Sequence, residues 1–125
     1  MGTRYILDTN VVLDFMGKNF PEDTQNTIAE IIDEEINISL ITKIELLGFS
    51  NVKQNLVDFV SCANVLALTD EVVSKTIELR RKYKRKLPDI IIAATAIVHN
   101  LTIATRNVAD FQNIDNLSVW NPWDF

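Results

Sequence analysis

The sequence predicts an α/β fold in which helices cover both faces of a mainly parallel sheet. Three observations carry that expectation. Short β-branched apolar runs alternate with longer runs of helical periodicity. Most strand-like runs are separated by helices, the βαβ pattern that favours parallel pairing. Gly and Pro are scarce, at three each, so long disordered linkers are not expected.

Tyr5 to Leu7 reads as a short buried strand that ends at the polar triplet Asp8-Thr9-Asn10. Val11 to Met16 begins a helix. Pro21 to Glu35 carries Ile28, Ile31 and Ile32 in a polar background, which suits an amphipathic helix. Ile36 to Leu40 reads as the second strand. Thr42 to Phe49 and Val52 to Cys62 read as helices, and Val65 to Leu68 as a strand. Asp70 to Lys84 is a long helix with apolar positions at Val72, Val73, Ile77 and Leu79. Pro88 to Asn100 is a helix so rich in Ile and Ala that burial on most sides is expected. Leu101 to Ala104 and Leu117 to Trp120 complete the strands.

The 125 residues fit one domain, residues 1–125, with enough length for a sizeable core. The net charge of −5 argues against a generally basic nucleic-acid coat. A local basic patch or a bound cation can still reverse the field at one site. Cys62 is the lone cysteine and His99 the lone histidine, which excludes an internal disulfide and a thiol zinc cluster. Cys62 reads as a small core residue. No apolar stretch reaches the roughly 18–20 residues that span a membrane. A cytoplasmic location is the expectation.

In open parallel sheets, sites form outside the carboxyl ends of the strands. Asp8 directly follows the first strand, and Glu45 lies one turn into the helix after the second. Asp89 opens the apolar helix that precedes the fourth strand. Asn107 lies just beyond that strand, with Asp110 three residues on. Each acid has a structural explanation. Asp8 suits a helix N-cap, Thr42 to Glu45 matches a capping box, and Asp89 after Pro88 suits a first helical turn. Asp110 reads as a surface or capping residue. In a parallel sheet, however, Asp8, Glu45 and Asp89 meet at one edge. Converging carboxylates repel one another, and a hard cation such as Mg²⁺ relieves that repulsion. Such a nest points to metal-assisted phosphate chemistry.

These residues resemble a known family. The segment 5–14, Tyr-Ile-Leu-Asp-Thr-Asn-Val-Val-Leu-Asp, is similar to the opening of PIN-domain nucleases. Segments 39–48, 88–96 and 103–111 resemble their three further motifs, in order. The ending 119–123, Val-Trp-Asn-Pro-Trp, resembles the tail of the VapC-type toxins within that family. The resemblance spans essentially the whole chain. It implies a three-layer α/β/α sandwich and a Mg²⁺- or Mn²⁺-dependent endoribonuclease that is the toxin of a type II toxin-antitoxin pair. It implies Asp8, Glu45 and Asp89 as metal-binding, catalytic acids, with hydrolysis to a 5′-phosphate and a 3′-hydroxyl. The family's fourth acid often stands where this chain has Asn107, which brings no charge. One firm cation is therefore expected, with a second held only alongside substrate phosphate. Thr9 and Thr105 are candidate hydroxyls for positioning substrate or water. The resemblance also implies an RNA substrate, a cognate antitoxin and a homodimer. Leu46, Leu47, Phe49 and Leu56 are candidate partner-facing residues.

Residues 80–86 hold six cations on an acidic chain. They suit the C-terminal end of a helix. Arg85 and Lys86 also flank Asp89 and are candidates for binding RNA phosphates. Alternative readings are a PIN nuclease of RNA processing without a toxin role, and a catalytically weak binding protein of the same fold. A phospho-acceptor receiver module fits poorly, because the acidic pair and the late Lys it needs are missing. Trp120 and Trp123 read as anchors of the C-terminal tail.

Overall fold

A computed structural model describes residues 2–124. The first strand, β1 (Tyr5–Leu7), leads into helix α1 (Thr9–Met16), followed by α2 (Glu22–Glu34). Strand β2 (Asn37–Ser39), helices α3 (Leu40–Leu47) and α4 (Gln54–Ser61), and strand β3 (Asn64–Leu66) come next. The long helices α5 (Asp70–Lys82) and α6 (Leu87–His99) precede strand β4 (Thr102–Ala104). A short helix α7 (Val108–Phe111), strand β5 (Val119–Trp120) and a 3₁₀ turn (Pro122–Asp124) close the described chain.

All strand pairings are parallel, as the βαβ pattern requires: β1 with β4, β4 with β5, and β2 with β3. Strand β2 lies alongside β1, where the Asn37 side chain donates to the Tyr5 carbonyl at 3.0 Å. The hydrogen-bonded ladders form a three-stranded sheet, β1-β4-β5, and a two-stranded sheet, β2-β3, and the approach of β2 to β1 sets them side by side in the order β3-β2-β1-β4-β5. The chain moves from β1 outward through β2 and β3, then returns to the opposite side of β1 with β4. The order reverses between β1 and β4, and the crevice beyond their carboxyl ends is where such sheets bind ligands.

Strand alternation divides the core between two faces. Ile6 and Ile103 turn toward a cluster with Ile90, Ile92, Ala93 and Phe111. Leu7, Ile38 and Ala104 turn toward Val11, Val12, Ile28 and Leu46. Helices α5–α7 cover the first face and α1–α4 the second, which gives the expected three layers. Helix α6 buries Ile90 and every residue from Ile92 to Ala96, as its composition predicts. Its small Ala side chains allow close approach to the sheet and to α5. Asn100 ends it in a left-handed conformation, φ 56°, which Asn tolerates better than most residues.

Two local expectations are corrected. Ser39, not Thr42, caps α3: its Oγ accepts from the Thr42 N–H at 3.0 Å. The Thr42–Glu45 capping box therefore does not form, and Glu45 is free for other partners. Cys62 is exposed at the end of α4 rather than in the core. In α5, Val72 and Leu79 are buried, whereas Val73 and Ile77 face solvent. Among the described residues, no helix is long and apolar enough to cross a membrane.

Candidate active site

The post-strand turns of β1 and β4 lie side by side, so residues 8–10 meet residues 105–107. Asp8 is 7% exposed and caps α1. Its Oδ1 accepts from the Thr9 N–H at 2.9 Å. Its Oδ2 accepts from the Thr105 hydroxyl at 2.8 Å and from Asn10 Nδ2 at 3.3 Å. Asp8 is thus a helix cap, and three donors also fix the direction of its carboxylate.

Thr105 is fully buried. Its hydroxyl also accepts from the Asn107 N–H at 3.0 Å. In this structure the Thr105 hydroxyl is engaged by Asp8 and by the turn that presents Asn107. The exposed Asn107 side chain stands at the crevice rim. The Thr9 hydroxyl is likewise committed and donates to Glu45 Oε1 at 2.5 Å. This bond links the first turn of α1 to α3.

Asp89 occupies the first turn of α6, after Pro88. Burial pushes its carboxyl from 3.8 up to about 6, helped by the negative charges of Asp110, Asp8 and Glu45 and opposed by Lys86. Asp8, Glu45, Asp89 and Asp110 therefore share one negative field. Asp110, which reads as a surface or capping residue and is the nearest substitute for the family's fourth acid, is the neighbouring charge that raises Asp89 most after burial.

Among the described residues, no three acidic, histidine or cysteine side chains form a ready-made metal cage. The donor set nonetheless fits a hard divalent cation. Such ions take carboxylate oxygens, and Mg²⁺ keeps several waters and uses one or two carboxylates plus substrate phosphate. Mutual repulsion at Asp89 is what a bound cation would relieve.

The basic segment splits in function. Arg80, Arg81 and Lys82 form the last turn of α5, where cations suit the helix dipole. Arg85 Nη2 donates to the Gln112 carbonyl at 2.8 Å, and its guanidinium lies 5.9 Å from the Tyr83 ring centre. Arg85 thus fastens the exit of α7. Lys86 is exposed, and its charge reaches Asp89. Lys84, Lys86 and their neighbours line an open groove of about 730 Å³ that ends at Pro88, the residue before Asp89.

Sequence reasoning also missed a latch on the other side. Arg106 Nη2 donates to Asp14 Oδ2 at 2.7 Å, and its guanidinium lies 4.1 Å from the Trp123 ring centre. Trp123 packs on Phe20 at 4.4 Å, and Trp120 on Tyr5 at 5.2 Å. The two Trp residues do anchor the tail.

A parallel α/β/α sandwich with carboxylates beside its β1/β4 switch point defines the class of this protein. Residues 5–117 match the family model described as PIN domain, and the chain belongs to that family. It is 31% identical to Ribonuclease VapC2 of Rickettsia felis, over 96% of this chain and 98% of that protein. It also resembles a chain of a toxin-antitoxin complex from Klebsiella pneumoniae, with TM-score 0.75, 31% identity, and 94% of this chain and 97% of that one covered. A chain of VapBC2 from Rickettsia felis, solved bound to a DNA fragment from its promoter, gives TM-score 0.76 at 26% identity, covering 95% of this chain and all of that one. PIN-domain ribonucleases are generally dependent on a divalent metal.

Proposed function

We propose that this chain is a Mg²⁺- or Mn²⁺-dependent endoribonuclease, and that one domain spanning residues 1–125 carries the activity. The observation that carries the reading is the donor-fixed carboxylate of Asp8 in the field of Asp89, whose own carboxyl is pushed up to about 6 first by burial and then by the negative charges of Asp110, Asp8 and Glu45. Asp8 and Asp89 would hold the cation, with Glu45 beside them. The bound ion supplies Lewis acidity at the scissile phosphate and a more acidic water. Asp8 presents its carboxylate in the direction set by Thr105 and Asn10. Glu45, held through Oε1 by Thr9, orients the attacking water and accepts its proton at Oε2. Asn107 offers a carboxamide oxygen at the rim, and Lys86 meets the RNA backbone. The products are a 5′-phosphate and a 3′-hydroxyl.

The chain acts as the toxin of a toxin-antitoxin pair, in the cytoplasm, as a homodimer opposed by an antitoxin. The similar ribonuclease and the similar chain solved in a toxin-antitoxin complex support this reading. Of the residues considered for a partner, Leu46 and Leu56 are buried in the chain's own core, while Phe49 is 49% exposed. Phe49 therefore remains available for such a contact.

Purified protein incubated with total cellular RNA tests the activity, with new 5′ ends mapped in Mg²⁺, Mn²⁺ or chelator. Discrete cleavage that needs the cation and is lost in Asp8→Asn is expected. Cleavage that persists in chelator, or in a folded Asp8→Asn protein, overturns the reading. Growth arrest on expression, relieved by a small neighbouring protein, tests the toxin role.

A further inference from the structure

We propose that Asn10 is a positioning residue that bolts the two turns of the crevice together and so sets the cation affinity of Asp8. The inference rests on the metal-nuclease reading above and assigns a role to a side chain outside its acidic set.

Asn10 is the only described side chain that bonds to both post-strand turns through both ends of one group. Its Oδ1 accepts from the Arg106 N–H at 3.0 Å. Its Nδ2 points back at Asp8 Oδ2, 3.3 Å away, and at the Thr105 hydroxyl, 3.4 Å away. Thr105 itself bridges Asp8 to the Asn107 N–H. One carboxamide thus ties the end of β1 to the turn after β4, across 96 residues of chain. Both atoms are needed. A carboxylate at this position would accept from Arg106 but could not donate to Asp8, and a hydroxyl is too short to reach both turns.

Loops after adjacent strands otherwise move independently, and small displacements of oriented ligands weaken metal sites strongly. The Arg106 side chain reinforces the bolt from outside through Asp14 and Trp123. The backbone N–H that Asn10 uses belongs to that same residue. The tail and the acidic crevice are therefore connected through Asn10.

The test is a Mn²⁺ titration of the RNA-free protein, followed by the electron paramagnetic resonance of free Mn²⁺, with cleavage kinetics in parallel. Wild type, Asn10→Ala, Thr105→Val, Thr105→Ser and Asp8→Asn are compared. Asn10→Ala should raise the Mn²⁺ half-saturation concentration about tenfold and lower kcat about tenfold at fixed subsaturating metal. KM for RNA should stay within twofold. Thr105→Val cuts the same bridge by a different route and should give the same pattern, while Thr105→Ser stays near wild type. If Asn10→Ala fails to fold, Thr105→Val and Thr105→Ser decide the matter. Unchanged Mn²⁺ binding in folded Asn10→Ala or Thr105→Val, with loss only of melting temperature, overturns the positioning role. If Asp8→Asn binds Mn²⁺ as wild type does, the metal-nuclease reading itself fails.

Discussion

The Thr9 hydroxyl stands 2.5 Å from Glu45 Oε1 and donates to it, joining α1 to α3 at the rim of the crevice. Glu45 is exposed on its helix, so little else restricts its rotamers. Thr9→Val keeps the side chain's shape and removes the donor. We expect kcat to fall about tenfold with KM within twofold, because a catalytic group displaced by even ~1 Å can cost up to about a hundredfold. Thr9→Ser should retain most activity. The bond is exposed, so the stability change should stay at or below ~1 kcal/mol. Single-turnover cleavage and thermal melts of the two variants provide the check; equal rates in Thr9→Val and wild type would show that Glu45 needs no tether.

Asp89 gives the metal-free protein a distinctive pH dependence. Its carboxyl is raised from 3.8 to about 6, first by burial and then by Asp110, Asp8 and Glu45. The folded state therefore binds a proton that the unfolded state releases between these values. The protonated group's contribution is fully present below 3.8 and is lost as pH rises through 6. The lowered carboxyls of Glu35, Glu78 and Asp115, each paired with a cation, act in the opposite sense and below pH 4.5. Between pH 7.5 and 5 the Asp89 effect should dominate. Asp89→Asn should melt above wild type at pH 7.5, with the gap closing toward pH 5. Saturating Mg²⁺ should narrow the gap at pH 7.5 by offsetting the same charge. A gap independent of pH would show that Asp89 does not carry this repulsion.

The legible part of this molecule is its periodicity and its edges. The β-branched runs at Tyr5–Leu7 and Thr102–Ala104 end at polar residues, and the parallel topology carries those ends to one crevice. Asp8 and Asn107 stand out in the sequence for that reason, whereas Asp89 is legible only as an acid in the first turn of the apolar helix before β4. The boundary of α3 was harder. Ser39 and Thr42 both have capping chemistry, and only the burial of Ser39 at the end of β2 decides between them. Helix α7, with four residues, is too short to show a helical period, so Asp110 lost its context. Arg85 was indistinguishable from Lys86 in sequence. Their difference lies in a carbonyl 27 residues away, which no local pattern reveals.

Asn107 is the point where charge is missing. Its side chain stands at the rim, and its N–H is already held by Thr105. Asn107→Asp adds a carboxylate without changing the turn. Added negative charge beside the acidic crevice should tighten Mn²⁺ binding about tenfold, or ~1.4 kcal/mol. In RNA-free protein it should also raise the number of bound ions at saturation. Mn²⁺ titration of both proteins gives the answer. No change in affinity or stoichiometry would place Asn107 outside the cation's reach.

Arg85 and Lys86 are neighbours with opposite expected phenotypes. The Arg85 guanidinium holds the Gln112 carbonyl and lies against Tyr83, while Lys86 is exposed next to Asp89. Arg85→Ala should destabilise the fold by about 1–2 kcal/mol, since a charged donor is lost from a backbone carbonyl. Its effect on RNA affinity should be small once the protein is folded. Lys86→Ala should leave the melting temperature nearly unchanged and weaken RNA binding at low salt. It should also lower the slope of log affinity against log salt by about 0.7 for single-stranded RNA, the value for one phosphate contact. Lys86→Ala also removes the charge that opposes the raised carboxyl of Asp89, so that group should rise further. Binding isotherms at several salt concentrations, paired with melts of both variants, separate the two roles. An unchanged salt slope in Lys86→Ala would remove Lys86 from the RNA path and leave the groove it lines without a phosphate contact at that position.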